Sequence, residues 1–284
     1  MPEAPLLTVG SLRVIGEPLD HVEGVAETPD RAVWAGGEAG QLYRFEADAS
    51  GSWSFEQVAD TQAGMLLGLA SDESGRLYIC APEQNAILRF DPETSELVTY
   101  AEGIRTPNVG LFEASGDLIA SDSGSLDLEQ GDGTIVRIPA GGGTPEILEL
   151  PSLHFPNGLA WLGEGRLAVA ESFAPRIIAI DLVSGALETL VELDHAIPDG
   201  LASDAEGGLL ISCFQPNVIY RYHPDVGLRT VIEDWTGQKL LSPTNVAYVG
   251  EERRTIAIAS LLGWSLLSLE VPWAGTPLPF PRVP

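Results

Sequence analysis

Cysteine and basic residues are both scarce in this chain of 284 residues. It has two cysteines, Cys80 and Cys213, and only 15 basic residues against 41 acidic ones. Two cysteines do not make the disulfide framework of a small secreted protein. The formal charge of −26 would repel phosphate groups, so we expect neither nucleic acid nor an anionic membrane surface as a partner.

Several familiar segments and motifs are also absent from the sequence. Residues 1–8 contain no basic stretch followed by a long apolar core, so we do not expect a secretory signal. With the scarcity of cysteine, this favours a reducing, cytoplasmic compartment. The chain has no serine elbow, phosphate loop, dinucleotide fingerprint or Cys/His zinc pattern. If the protein is an enzyme, its chemistry has to come from another source, such as a bound metal.

A segment close to Gly-Leu-Ala-x-Asp-x-x-Gly-x-Leu recurs six times along the chain. Each copy begins with a residue that we call the opening residue. It stands ten positions before the start of the second predicted strand of its repeat, or eleven positions in the last copy. Successive opening residues are 44, 41, 49, 42 and 45 positions apart. Repeats of this length with four short strands each predict an all-β, six-bladed β-propeller. The opening residues are Glu23, Leu67, Asn108, Asn157, Asp199 and Thr244.

Alternating apolar residues with Gly, Pro, Asn and Asp at the joints predict four antiparallel strands in each blade. The third strands are predicted at residues 41–46, 86–91, 134–139, 176–181, 218–223 and 264–270. The two cysteines then lie in second strands of blades two and five, on opposite sides of the ring, so a disulfide is not expected.

The last blade lacks a fourth strand in the sequence. Residues 271–284 are rich in proline and cannot donate the hydrogen bonds of a strand. A segment that belongs to none of the repeats precedes the first blade. It comprises residues 12–15, in a predicted strand of about 11–16. We predict that it closes the ring as the fourth strand of blade six, which would remove exposed sheet edges. The whole chain, 1–284, is then a single propeller domain.

The opening residues are expected to meet at one end of the central channel, because every blade starts its innermost strand at the same end. Hard oxygen ligands without thiolate or imidazole favour Ca²⁺, with Mg²⁺, Mn²⁺ and Zn²⁺ as alternatives. Asn and Asp also suit turns at strand starts. However, Glu does not, and convergent oxygens without a basic counterpart repel one another unless a cation holds them. The predicted metal ligands are Glu23, Asn108, Asn157 and Asp199, and Leu67 and Thr244 leave a gap for solvent and substrate.

Four segments around the openings carry a family resemblance. They read Glu-Gly-Val at 23–25, Phe-Pro-Asn-Gly-Leu-Ala at 155–160, Ile-Pro-Asp-Gly-Leu-Ala at 197–202 and Ser-Pro-Thr-Asn-Val-Ala at 242–247. They resemble the senescence marker protein/gluconolactonase/luciferin-regenerating-enzyme family of six-bladed propellers, over nearly the whole chain. The resemblance implies a divalent-metal hydrolase that opens sugar lactones. It implies Glu23, Asn157 and Asp199 as metal ligands, with Asn108 completing the site.

Blade three departs from that family's pattern, Arg-x-Asn-Asp. Here the sequence is Arg105-Thr106-Pro107-Asn108-Val109, so the arginine is shifted and the aspartate is replaced by valine. We still expect Arg105 and Asn108 to contact the substrate.

Two further carboxylates are expected beside the pocket, because the second strand of each blade returns toward the opening end. Asp122 and Glu171 stand fourteen residues after their openings. They are predicted to contact substrate hydroxyls or orient the ligand amides, and hydrogen bonds to neighbouring backbone are the alternative. His154 and His195 lie at the rim, either as proton shuttles or as ordinary loop residues. Residues 123–133 are predicted as a rim loop.

The predicted reaction is the opening of a lactone by water, with the metal polarising the carbonyl and Asp199 accepting a proton from the water. The alternatives are an organophosphate or ester hydrolase of the same propeller type, a non-hydrolytic reaction in the same site, and a non-catalytic ligand-binding propeller. The expected partner is a small-molecule substrate, and the protein is expected to be a monomer or a small homo-oligomer.

Overall fold

Each repeat of the sequence folds into one four-stranded antiparallel sheet. The computed structural model describes residues 4–127, 129–163 and 165–284. Within these ranges it contains six such sheets, and in five of them the strands pair in chain order. This confirms the all-β, six-bladed propeller.

The strand bounds follow the same order in every blade. The innermost strands are β2 (Gly24–Glu27), β6 (Leu69–Ser71), β10 (Pro107–Phe112), β14 (Pro156–Trp161), β18 (Ile197–Ser203) and β22 (Pro243–Val249). The second strands are β3 (Val33–Gly36), β7 (Leu77–Ala81), β11 (Leu118–Asp122), β15 (Arg166–Glu171), β19 (Leu209–Gln215) and β23 (Thr255–Ser260). The third strands are β4 (Gln41–Ala47), β8 (Ala86–Asp91), β12 (Thr134–Ile138), β16 (Arg176–Asp181), β20 (Val218–His223) and β24 (Leu266–Glu270). The outer strands are β5 (Trp53–Asp60), β9 (Glu96–Glu102), β13 (Glu146–Ile147), β17 (Leu187–Glu192), β21 (Gly227–Glu233) and β1 (Arg13–Gly16). Short 3₁₀ turns occupy Val9–Ser11 and Pro82–Gln84.

The predicted bounds of the third strands differ from the structure at three ends. β4 ends one residue later, at Ala47, and β12 ends one residue earlier, at Ile138. The largest difference is in blade six. The strand of blade six begins at Leu266, whereas the sequence pattern places its start at Trp264. The turn after β23 is closed by a hydrogen bond from the Gly263 N–H to the Ser260 carbonyl (3.1 Å) and extends to residue 265. Trp264 therefore lies in that turn, with 58% of its surface exposed.

The ring is closed by the N-terminal strand, as predicted. β1 lies antiparallel beside β24, with Arg13 opposite Ser268 and Val14 opposite Leu267. Ile15 is buried among residues of blades one and six, including Phe45 and Leu266. Since β1 belongs to the sheet of blade six but leads directly into blade one, it joins the two ends of the ring.

The proline-rich tail forms a strap across the channel end opposite to the openings. The Thr276 N–H donates to the Ser203 carbonyl in blade five (2.9 Å), and Leu278 lines the channel. Further along, the Arg76 guanidinium in blade two donates to the Val283 carbonyl (2.5 Å). Val283 itself is buried in the core next to Tyr78. The tail is thus held to blades five and two without forming a strand.

The two cysteines agree with the expectation that they do not form a disulfide. Cys80 and Cys213 are both buried and free, so neither takes part in a disulfide. Among the described residues, no helix has the length and apolar character needed to cross a membrane.

Candidate metal centre

The recurring glycine after the opening residue explains how the blades come together. A Cβ atom at Gly24 would overlap the carbonyl oxygen of Leu67, and one at Gly158 would overlap the carbonyl oxygen of Asp199. Any larger residue at these positions would push neighbouring blades apart. The glycines therefore allow each opening residue to lie directly against the next blade.

Hydrogen bonds link successive openings around the channel. The Gly68 N–H donates to the Asn108 carbonyl (2.7 Å), and the Ser121 hydroxyl donates to the Asn157 carbonyl (2.8 Å). On the other side of the ring, the Thr244 hydroxyl donates to the Glu23 carbonyl (3.0 Å). These bonds hold the backbone of the opening residues in a ring at one end of the channel.

Two serines fix the side-chain amides of this ring. The Asn108 amide nitrogen donates to the Ser123 hydroxyl (3.1 Å), whose own hydrogen is donated to the Pro156 carbonyl (2.8 Å). Asn157 and Ser172 repeat this arrangement at 3.3 Å, with the serine hydroxyl donating to a carbonyl of blade five (2.7 Å). Because each serine hydrogen is already used, the amide has to present N–H to the serine. Its carbonyl oxygen is therefore directed away from the serine.

The oxygen atoms that remain are the strongest sign of a cation site. Asn108 Oδ1, Asn157 Oδ1 and Asp199 Oδ1 are buried and have no hydrogen-bond partner in the described part of the protein. A buried oxygen without a partner costs about 1–3 kcal/mol, so three of them in one ring require an explanation. A hard cation with oxygen ligands satisfies all three at once.

The charges of the ring agree with a cation. Glu23 and Asp199 are both buried, at 7% and 5% exposure. Burial, followed by the charges of Asp199 and Glu38, raises the pKa of Glu23 well above its usual value. Burial raises the pKa of Asp199 to about 7, against the opposing effect of the neighbouring Asn157 amide. Two buried carboxylates that repel each other are stabilised by a divalent cation between them.

Asp122 and Glu171 make their contacts with protein groups. Asp122 accepts the backbone N–H groups of Arg105 (3.1 Å) and Thr106 (2.9 Å). Glu171 accepts the N–H of His154 (2.8 Å) and forms an ion pair with Arg176 (2.5 Å). In both blades the carboxylate holds the loop that leads to the opening asparagine. These contacts match the alternative prediction, hydrogen bonds to neighbouring backbone. Substrate binding by the two residues stays a prediction.

Arg105 and the histidines lie outside the ring of oxygens. Arg105 is half-exposed and pairs with Asp132 (2.7 Å) in segment 123–133, of which Leu128 lies outside the described residues. His154 lies next to the same segment, because a Cβ at Gly131 would contact its imidazole. His195 is exposed at the rim. Substrate contact by Arg105 and proton transfer by either histidine remain predictions.

The sequence alone did not single out the two serines. Ser123 and Ser172 each stand fifteen residues after an opening asparagine and directly after a carboxylate, Asp122 or Glu171. This repeated acid-serine pair is a signal that could have found them. Cys213, by contrast, behaves as a core residue: burial and the nearby Asp199 raise the pKa of its thiol, which keeps it neutral.

Comparison with known proteins shows the family. The model of the SMP-30/Gluconolactonase/LRE-like region matches residues 96–261, more than half of the chain. The chain belongs to this family. Among relatives of this SMP-30/gluconolactonase/LRE-like protein is regucalcin of Danio rerio, 24% identical over 234 residues, which cover 72% of this chain and 73% of regucalcin.

Solved structures have the same fold as this SMP-30/gluconolactonase/LRE-like chain. A calcium-binding protein, regucalcin, from Agrobacterium tumefaciens superposes with a TM-score of 0.78 at 18% identity, over 99% of this chain and 100% of that one. A gluconolactonase from Xanthomonas campestris superposes with a TM-score of 0.74 at 21% identity, over 92% and 89% of the two chains.

Proposed function

We propose that the protein is a divalent-metal-dependent hydrolase that opens lactones. The observation that carries this proposal is the set of three buried, unpartnered oxygen atoms on Asn108, Asn157 and Asp199, beside the Glu23 carboxylate. Membership of the SMP-30/gluconolactonase/LRE-like family supports the lactone class. The calcium-binding description of a regucalcin with this fold supports calcium as the ion.

Four side chains would hold the ion, and each contributes differently. Glu23 and Asp199 supply the two negative charges that balance a divalent cation, and Asn108 and Asn157 supply neutral oxygens whose direction is set by Ser123 and Ser172. The bound ion would supply Lewis acidity toward the carbonyl oxygen of a lactone. Calcium fits this all-oxygen set best.

The substrate would approach past the two openings that are not assigned as metal ligands. These two openings are Leu67, which is apolar, and Thr244, whose hydroxyl donates to the Glu23 carbonyl (3.0 Å). Asp199 would accept the proton of the attacking water at the carboxylate oxygen that does not hold the ion. Asp199 is buried, so bulk solvent is excluded from that proton transfer.

A substrate panel tests the proposal. We expect purified protein to hydrolyse five- and six-membered lactones, to lose activity after chelation and dialysis, and to regain it with Ca²⁺ or another divalent ion. Elemental analysis before chelation identifies the ion. Turnover of organophosphate or acyclic esters in place of lactones would favour the alternative hydrolase, and metal binding without any turnover would favour a binding propeller.

Replacing a serine that orients an amide should weaken metal binding. In Ser172→Ala the Asn157 amide loses the acceptor for its N–H, so its carbonyl oxygen is no longer held toward the channel. We expect metal affinity, measured by calorimetric titration with Ca²⁺, to fall by about ten-fold or more. Ser71→Ala is the matched control, because the buried Ser71 hydroxyl donates to the Asp72 carbonyl (3.3 Å) at the channel end opposite to the ring. Equal affinities in both variants would contradict the positioning role.

A further inference from the structure

Exposed apolar side chains gather on the same face as the ring of oxygens. Trp235, Leu262 and Trp264 have 82%, 54% and 58% of their surfaces exposed. Trp235 lies in the loop between β21 and β22, and the other two lie in the turn between β23 and β24. Both connections are at the opening end of blade six. Exposed large apolar groups that cluster beside a site are a common mark of ligand binding.

A cleft with a volume of about 510 Å³ runs between the loops of blades five and six. Its apolar lining consists of Pro216, Trp235, Leu241 and Leu262. The other lining residues are polar: His195, Gln215, Asn217, Glu233, Asp234 and Ser242. The cleft has the size of a small-molecule site, and it reaches Ser242, which stands two residues before the opening residue Thr244.

Trp264 connects this apolar surface to the ring itself. Its indole lies 4.2 Å from the imidazole of His21, two residues before Glu23. Its carbonyl accepts the N–H of Leu19 (2.8 Å), which fixes the turn of blade six against blade one. The apolar surface therefore extends from the cleft to the edge of the opening ring.

Several polar groups near the ring and in the cleft are already engaged. In the cleft, the Asn217 amide oxygen accepts the Ser242 N–H (2.9 Å). The Asp234 carboxylate accepts the N–H groups of Gln238 (2.8 Å) and Lys239 (2.7 Å). Arg105 is paired with Asp132, and the Asp122 carboxylate binds the backbone in front of Asn108. Glu171 is fully buried and paired with Arg176. A polyhydroxylated ring would compete with these contacts, whereas an apolar group can pack directly on the exposed Trp235 and Leu262.

We infer that the site takes lactones with an alkyl or aryl substituent, which the cleft between blades five and six binds over Trp235, Leu241 and Leu262, in preference to polyhydroxylated sugar lactones. This inference rests on the proposed lactone-opening function. Burial of the substituent, and not the number of hydroxyl groups, decides the preference.

The test compares δ-valerolactone, a hexyl-substituted δ-lactone and glucono-1,5-lactone. We expect kcat/KM to rise about fourfold for each methylene group that the cleft buries. The hexyl lactone should therefore be favoured by roughly tenfold or more over each of the other two. Leu262→Ala and Trp235→Ala should each reduce the hexyl-to-unsubstituted ratio by about fivefold to tenfold. Leu228→Ala, at the opposite end of blade five and 36% exposed, should leave the ratio unchanged.

The outcomes separate this inference from the proposed function. Hydrolysis of all three lactones without an alkyl preference, or with a preference that Leu262→Ala and Trp235→Ala do not alter, overturns the inference and leaves the function in place. If no lactone is hydrolysed, the proposed function fails. The preference of the cleft for an alkyl group is then tested by ligand binding alone. A hexyl δ-lactam should then quench tryptophan fluorescence at lower concentration than the unsubstituted lactam, and Leu262→Ala should remove the difference. Equal binding of the two lactams overturns the inference.

Discussion

Asp199→Asn is expected to lower kcat for lactone opening by roughly two orders of magnitude or more at saturating metal. The change keeps an oxygen ligand of the same shape in the ring, but it removes both a negative charge and the proton acceptor. Asp199 is buried in the ring, and this burial raises its pKa to about 7 when no cation balances its charge. Activity should be measured with the metal content of each sample determined in parallel.

Asp194→Asn is the control for this substitution. Asp194 is an exposed carboxylate in the loop before β18, five residues from Asp199, so the chemical change is the same outside the ring. We expect its kcat to match that of the unaltered protein. If metal-loaded Asp199→Asn retained the full rate, Asp199 would not be the base.

Deleting residues 1–16 is expected to lower both thermal stability and metal affinity. The deletion removes β1, exposes the edge of β24 and takes the buried Leu12 and Ile15 out of the core. Loss of two buried aliphatic side chains costs roughly 3–6 kcal/mol, which for a protein of this size lowers the melting temperature by about 10 °C or more. Metal affinity should fall as well, because β1 joins blade six to blade one, and Glu23 lies just after that junction.

Deletion of the tail from Gly275 onward provides the comparison. From the sequence, this tail is expected to matter less than residues 1–16. The structure shows that it ties blade five to blade two and buries Val283, so we expect a measurable loss of stability. Its contacts lie at the channel end opposite to the ring, so metal affinity should be retained. Equal metal affinity in the 1–16 deletion and the full chain would show that the junction with blade six is not needed to hold Glu23.

The blades and the closure of the ring could be predicted from the sequence because both depend on local patterns. Alternation of apolar residues selects a strand, and Gly, Pro, Asn and Asp select its turns, so the third strands at 86–91, 176–181 and 218–223 have the predicted bounds. The proline-rich residues after Glu270 cannot form a strand, which left residues 12–15 as the strand to complete blade six. The fixed offset of the opening residues then placed Glu23, Asn108, Asn157 and Asp199 at one end of the channel.

The hydrogen-bond partners around the opening residues were decided only by the tertiary structure. Asp122 and Glu171 have the offset of pocket residues, yet their oxygens bind backbone groups 16 or 17 positions away. The role of Ser123 and Ser172 depends on carbonyls of the next blade. Trp264 is exposed because the turn before β24 ends two residues later than the apolar pattern of the sequence predicts. Repeats and alternation therefore determine which residues reach the channel end, since these are properties of one chain segment at a time. Which oxygens remain free there depends on distances between segments remote in sequence, and only the folded ring sets those distances.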